Sequence, residues 1–266
     1  MDYPYRIHIE TTGRCNASCK YCPHSISPRR FMGMNDKLFD KILGELGTIP
    51  YDIYVTMMKL GEPFLDPKIC ERLLMVDSLP NTRIEIHTNL NVLPPKVFQT
   101  LIKLEKLEYI WVSLNWMDSK TYKEQMGLSF EKTVANINKL LATPLADIVI
   151  LGAVSIPKVS VYDWANWVIR KFPGTKCVKN LIKGPWCEHV ETQPTLIKEP
   201  ICPRLNEVSI CCDGKVALCC MDGLCEYELG DVNNQGFLKI FNSDKAKLYR
   251  NTPRVAIMPC KVCNFE

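Results

Sequence analysis

Cys15, Cys19 and Cys22 stand in one short run, Cys-Asn-Ala-Ser-Cys-Lys-Tyr-Cys. Three thiolates on a tight loop hold three irons of a cubane iron–sulfur cluster and leave the fourth open to an outside ligand. An open iron implies chemistry rather than plain electron transfer. The competing reading is zinc, but structural zinc takes four ligands, delivered as separated pairs and not as three from one loop.

A second group begins at Cys202, with eight cysteines at 202, 211, 212, 219, 220, 225, 260 and 263. Asp213-Gly214 reads as a two-residue turn between strands at Glu207–Cys212 and Lys215–Cys220, pairing Cys212 with Lys215, Ile210 with Ala217 and Val208 with Cys219. Side chains alternate along a strand, so Cys219 and Cys220 face opposite ways and only one of them suits a given metal site. Cys212 is expected toward the Cys219 face. A second metal centre follows from this clustering, as either an iron–sulfur cluster or a zinc ribbon. Cys70, Cys177 and Cys187 read as small buried hydrophobes.

The elements that must position these groups alternate. Strands are expected at Arg6–Thr11, Ile53–Met58, Arg83–Thr88, Tyr109–Leu114, Asp147–Val154 and Cys177–Ile182. Helices are expected at Asp36–Leu46, Pro67–Val76, Pro95–Leu104, in stretches up to Leu141, and at Tyr162–Lys171. Strand–helix alternation implies an α/β fold with a parallel sheet, curled into a partial (β/α)6 barrel or laid open. In either case chemistry gathers in the loops after the strands, where the first cysteine loop sits. The expected division is 1–182 for this unit, 183–200 for a linker and 201–266 for a smaller domain.

The chain of 266 residues is 47% hydrophobic, enough for a sizeable core. A net charge of +4 without a basic block excludes nucleic acid as the default partner, and no apolar run is long enough for a membrane span. Fourteen cysteines without a signal sequence predict the cytosol, where thiols stay reduced.

The CxxxCxxC spacing with Tyr21 before its last cysteine resembles the radical S-adenosylmethionine superfamily. The resemblance implies that S-adenosylmethionine fills the open iron site and is reductively cleaved to a 5'-deoxyadenosyl radical. Leu60-Gly61-Glu62-Pro63 is similar to the family's Gly-Gly-Glu motif, with Leu60 in place of its first glycine. Thr88-Asn89-Leu90 is similar to its Thr-Asn-Gly, and Ser113-Leu114-Asn115 to its Ser-Leu-Asp. Leu90 gives up the glycine's easy access to positive φ, so a different loop path is expected there. Tyr21, Gly61, Glu62, Thr88, Asn89, Ser113 and Asn115 are by this likeness the cosubstrate-binding residues.

Cys202 to Cys219, with Gly214 between them, resembles the entry to the SPASM or shorter twitch extension of such enzymes, and Cys260-Lys-Val-Cys263 its closing pair. Gly230-Asp231-Val232 and Ile240-Phe241-Asn242-Ser243 resemble further stretches of it. The implied ligands of one auxiliary [4Fe–4S] cluster are Cys202, Cys219, Cys260 and Cys263. A single auxiliary cluster is expected because the chain ends at Asn264-Phe265-Glu266, without the further cysteines of a full SPASM domain.

Within the superfamily the order of motifs most resembles 2-deoxy-scyllo-inosamine dehydrogenase-like enzymes, implying oxidation of a small cyclitol-like alcohol. Peptide-modifying enzymes that make thioether or carbon–carbon links or D-residues are the alternative, and a non-catalytic metal-binding scaffold is the third reading. The resemblance also implies an electron donor such as flavodoxin or ferredoxin. For a base, Asp222 is a candidate, although an Asp before Gly223 is more often a turn residue. Cys220 or Cys225 would supply a hydrogen in an epimerase, and His24 and His189 are candidates for polar contact.

Overall fold

The computed structural model describes residues 2–154, 160–181, 186–187, 189–190, 200–261 and 263. Six strands, β1 (Arg6–Ile9), β2 (Ile53–Thr56), β3 (Thr82–Thr88), β4 (Leu107–Ser113), β5 (Val149–Val154) and β6 (Cys177–Leu181), pair in parallel. Each lies beside its predecessor, which is the winding of a partial barrel. Between them run α1 (Asp36–Leu46), α2 (Ile69–Ser78), α3 (Pro95–Lys103), α4 (Ser119–Met126), α5 (Phe130–Leu141) and α6 (Val161–Lys171).

Strand alternation decides the two faces. Ile7, Ile9, Val55, Ile84, Ile86, Ile110, Val112 and Leu151 bury one face in a core shared with Leu38, Ile42, Leu73, Leu101, Ile137 and Trp164 of the helices. The intervening residues form the other, inner face: Arg6, His8, Thr56, Glu85, His87, Tyr109 and Trp111. Room is made there for large side chains; a Cβ on Gly152 would sit 2.0 Å from the Trp111 ring.

Helix ends follow local chemistry. Asn35 accepts the Leu38 amide at 2.9 Å and so starts α1 at the expected residue. Thr143 caps a 3-10 turn over Pro144–Ile148, which consumes the first two residues expected of β5.

The C-terminal region joins the same sheet. Strand β7 (Glu207–Ile210) pairs in parallel with β1, on the edge opposite β2, and β8 (Lys215–Ala217) and β9 (Gly230–Asp231) add to it antiparallel. The sheet passes from one sequence region into the other without a break. Of the expected linker 183–200 only Trp186, Cys187, His189, Val190 and Pro200 are among the described residues, and Ile182 lies outside them. Two helices follow, α7 (Phe237–Phe241) and α8 (Asp244–Asn251), with the Phe237 and Leu238 amides bound to the Glu45 carboxylate on α1.

The hairpin corrects the expected register by one residue. Ser209 pairs with Ala217 and Ile210 with Val216, and the Cys211 amide donates to the Lys215 carbonyl at 2.8 Å. The loop is therefore three residues long, with Gly214 at φ +97 supplying the left-handed position that such loops need. A one-residue slip exchanges the faces. Cys212 accordingly packs in the main core with Ile210 and Val216, not toward Cys219.

Glu207 fastens β7 to the barrel. Its carboxylate accepts hydrogen bonds from Tyr5 Oη (2.5 Å), Arg204 (2.8 Å), His8 Nε2 (2.9 Å) and Arg6 (3.3 Å). Arg6 in turn reaches Glu85 on β3 at 2.8 Å. Burial alone would raise the Glu207 carboxyl, but the His8 hydrogen bond, the Arg204 charge and the Tyr5 hydrogen bond outweigh it and hold it at about 2, below the ordinary 4.5. Because the folded value is depressed, this stabilisation is complete above pH 4.5 and lost as pH falls toward 2. Urea unfolding of metal-free protein should show about 3 kcal/mol of stability lost over that window. In Glu207→Gln that part of the pH dependence should vanish; an unchanged profile would remove the assignment.

Candidate functional site

The first cysteine loop is pinned by backbone contacts from distant elements. The Ser18 and Lys20 amides donate to Met126 and Gln125 carbonyls at 2.8 and 3.0 Å, and Cys22 N donates to Cys19 O at 3.2 Å. His24 Nε2 lies 2.8 Å from the Gly13 carbonyl, a structural contact at the base of the loop. Cys15, Cys19 and Cys22 are half-buried free thiols. Burial pushes Cys15 and Cys22 up to about 12 and Cys19 up to about 11, so metal binding must displace their protons. Three converging thiols with their backbone already ordered fit a cluster with one open iron.

The three strand-end motifs meet around this loop. Gly61 lies against it so closely that a Cβ would stand 1.9 Å from the Thr12 carbonyl oxygen, and the Glu62 amide donates to the Arg14 carbonyl at 2.8 Å. The Glu62 carboxylate is buried and accepts from Thr88 Oγ1 (2.6 Å), Asn89 N (2.8 Å) and Phe64 N (3.3 Å). Burial raises it to about 7 against the pull of those hydrogen bonds. Asn89 Nδ2 donates to Asn16 Oδ1 at 2.9 Å, and Asn115 donates to Tyr21 Oη at 2.6 Å while accepting the Val154 amide at 2.9 Å. Ser113 stands at the end of β4, half-buried.

Leu90 does not divert its loop as expected. It adopts φ +50 despite its side chain, held by Thr88 Oγ1 accepting its amide at 2.9 Å, by Asn136 donating to its carbonyl at 2.9 Å, and by full burial in the core.

The second cysteine group lines a cavity. Cys202, Cys219, Cys260 and Cys263 converge there, joined by Cys220 and Cys187 and closed by Leu205, Met221 and Arg254. Cys187, read from the sequence as a small buried hydrophobe, is buried and lines this cavity as well. All fourteen cysteines are free thiols, and burial pushes Cys220 and Cys260 up to about 12. The donor set fits a fully ligated iron–sulfur cluster. Cys211 and Cys225 pack together with Ala217, apart from it, and Cys70 lies in the main core.

Asp222 is corrected as a candidate base. It is fully buried, and its carboxylate accepts the amides of Glu226 (2.9 Å), Tyr227 (3.1 Å) and Leu218 (3.2 Å), so it shapes the loop after β8. His189 pairs with Glu226 at 2.8 Å in an exposed position.

Three buried charges beside the site carried no motif in the sequence. Glu10, just past β1, accepts from Arg29 Nε (2.9 Å) and from the Leu60 and Cys212 amides (3.2 Å each). Arg29 also donates to the Gly223 and Leu224 carbonyls at 2.6 and 3.0 Å. Lys59 donates to Ser209 Oγ at 2.9 Å and to the Cys219 carbonyl at 3.2 Å. For Glu10 the available signal was the alternation of polar residues with Ile7 and Ile9; Arg29 and Lys59 carried none.

Comparison with known proteins agrees with this geometry. Residues 9–166 match the family model of the radical SAM superfamily, and residues 202–264 match the SPASM iron–sulfur cluster-binding domain. The chain belongs to the radical SAM superfamily and carries a SPASM region; its cofactors are a [4Fe–4S] cluster, S-adenosylmethionine and auxiliary iron–sulfur chemistry. It is 30% identical over 110 residues to the S-adenosyl-L-methionine-dependent 2-deoxy-scyllo-inosamine dehydrogenase of Niallia circulans, an alignment covering 39% of this chain and 42% of that protein. It is 26% identical to the FeMo cofactor biosynthesis protein NifB of Methanocaldococcus infernus, over 91% of this chain and 86% of that one.

Among solved structures, BtrN in complex with AdoMet and 2-DOIA matches with a TM-score of 0.69 and 19% identity, covering 99% of this chain and 94% of that one. Streptococcus suis SuiB bound to precursor peptide SuiA matches with a TM-score of 0.73 and 13% identity, covering 99% of this chain and 70% of SuiB. These two likenesses show the shared fold. Among the described residues no helix is long and apolar enough to cross a membrane.

Two outcomes are expected. Arg29→Met strands the Glu10 carboxylate in the interior and should destabilise the protein by about 3–5 kcal/mol, read by urea unfolding; a loss under about 1 kcal/mol would show that the pair is dispensable. Anaerobic reconstitution should load about eight irons, and the Cys15→Ala, Cys19→Ala, Cys22→Ala triple variant about four. Full iron retained by the triple variant would remove the first site.

Proposed function

We propose that this protein is a radical SAM dehydrogenase that oxidises a secondary alcohol of a small polar, aminocyclitol-like substrate to a ketone. In this reading Cys15, Cys19 and Cys22 hold the open-iron cluster, and Cys202, Cys219, Cys260 and Cys263 the auxiliary one. When bound, these groups supply a hydrogen-abstracting 5'-deoxyadenosyl radical and an acceptor for one electron. Tyr21, Gly61, Glu62, Thr88, Asn89, Ser113 and Asn115 bind the cosubstrate at the strand ends.

Ketone formation also requires a group to take the hydroxyl proton. The observation that carries this reading is the His8–Glu207 pair on the inner face of the barrel. Glu207, held ionised by its cationic neighbours, keeps the ring hydrogen of His8 on Nε2. With the hydrogen on Nε2, His8 Nδ1, buried and without a hydrogen-bond partner, would be the atom that takes that proton. Around it His87 stacks on Trp111 and hydrogen-bonds Tyr109 at 3.1 Å. Burial, helped by the nearby Arg6 and Arg204 charges, drops His87 to about 3, so it stays neutral. A hydrogen-bonding wall of this kind suits a hydroxylated ring. The partial likeness to the 2-deoxy-scyllo-inosamine dehydrogenase supports the same class.

The test supplies anaerobically reconstituted protein with S-adenosylmethionine, a flavodoxin or chemical reductant, and 2-deoxy-scyllo-inosamine or related aminocyclitols. A product lighter by two hydrogens should form with one 5'-deoxyadenosine each. His8→Phe should still release 5'-deoxyadenosine while ketone formation falls about 100-fold. The fold shared with peptide-bound SuiB favours peptide modification as the second reading. Abundant 5'-deoxyadenosine with no ketone from any aminocyclitol would eliminate the dehydrogenase in its favour, and no 5'-deoxyadenosine at all would leave only a metal-binding scaffold.

A further inference from the structure

Lys59 is a buried cation whose hydrogen-bond partners are neutral. The residue is 5% exposed, and its ammonium donates to Ser209 Oγ at 2.9 Å and to the Cys219 carbonyl at 3.2 Å. Among the described residues no carboxylate forms an ion pair with it. The buried acids of the same junction are committed elsewhere, Glu10 to Arg29 at 2.9 Å and Asp222 to three backbone amides. An ammonium taken out of water costs far more than two neutral hydrogen bonds return, so an opposing charge is called for.

That charge lies across Cys219, which lines the auxiliary cavity with Cys202, Cys260 and Cys263. Four thiolates around a cubane carry a net negative charge, and each electron accepted adds to it. The carbonyl that receives Lys59 belongs to one of those four residues and is fixed from its other side by the Asp222 amide at 3.2 Å. Ser209, on β7, holds the ammonium in place. Lys59 also opens the Leu60-Gly61-Glu62 turn, where Glu62 N donates to the Arg14 carbonyl at 2.8 Å and the Leu60 side chain would stand 3.1 Å from a Cβ on Gly223. The turn that meets the first cysteine loop therefore carries this cation to the second group.

We propose that Lys59 is the counter-cation of the auxiliary cluster and raises its reduction potential, suiting it to accept electrons from the barrel. Reduction adds one electron to the cluster, while Lys59 keeps its proton and its charge in both states. The inference rests on the assignment of the auxiliary cluster to this cavity and is independent of which substrate is oxidised.

The experiment is a potentiometric titration with dithionite, followed by electron paramagnetic resonance, on the full chain carrying Cys15→Ala, Cys19→Ala and Cys22→Ala with about four irons bound. At the midpoint of this parent, Lys59→Met should lower the reduced-to-oxidised ratio about tenfold or more, a drop of about 59 mV for one electron, with the iron count unchanged. Lys59→Arg, which keeps the charge, should stay within about twofold of the parent. Ser209→Asp, which sets a carboxylate against the ammonium, should lower the ratio in the same direction, and it decides the question if Lys59→Met does not fold. A ratio unmoved by loss or neutralisation of the charge overturns the inference. So does an equal fall in Lys59→Met and Lys59→Arg, which would make the effect one of packing. A parent that takes up no iron overturns the auxiliary site itself, a distinct result.

Discussion

One buried ion pair, Glu10 with Arg29, sets the relative position of everything that does chemistry. The Glu10 carboxylate collects Arg29, the Leu60 amide of the loop after β2, and the Cys212 amide of the β7–β8 hairpin. Arg29, beyond the cysteine loop, spends its remaining nitrogens on Gly223 and Leu224 of the loop after β8. Burying two charges is unfavourable unless each is matched at good geometry, and here the partners are drawn from several separate loops. The loop bearing the first cysteines, the Gly61-Glu62 turn and the auxiliary-site loop are therefore registered to a single point. Lys59, one residue before Leu60, extends the same junction to Cys219.

The barrel wall divides its labour by strand parity. Outward residues supply the apolar core, and the inward set is polar and densely cross-linked: Arg6 bridges Glu85 and Glu207, and Thr56 donates to Glu85 at 2.7 Å. A polar interior of this kind is tolerable because nearly all of its hydrogen-bonding groups are satisfied by one another. The exception at His8 Nδ1 stands out for that reason.

Much of this was legible in the sequence. The parallel strand–helix order follows from hydrophobic periodicity, and the first cysteine loop and the strand-end motifs landed together because spacing within a loop is a local property. The misses were tertiary. The hairpin register slipped because Asp-Gly favours a two-residue turn, whereas Gly214 serves here as the left-handed residue of a three-residue one. Leu90 takes a conformation its type disfavours because Thr88 and Asn136 hold both sides of its peptide. Asp222 read as a possible base because nothing in its neighbours' identities reveals three amides aimed at its carboxylate. Cys187 carried no spacing signal at all, since it reaches the cavity from a segment upstream of the other cysteines that line it.

The pairing of β1 with both β2 and β7 has a kinetic consequence. Its register sets Arg6 beside Glu207, so the strand that launches the radical cluster loop is bordered on one edge by a partner two hundred residues downstream. Closing so long a loop carries an entropic cost that local contacts do not, and high contact order slows folding. On the ribosome, β1 waits with one edge open until β7 has emerged, and Glu10 waits with it for Cys212. The first cysteine loop thereby gains its full set of supports only when the region that holds the second cysteine group is complete.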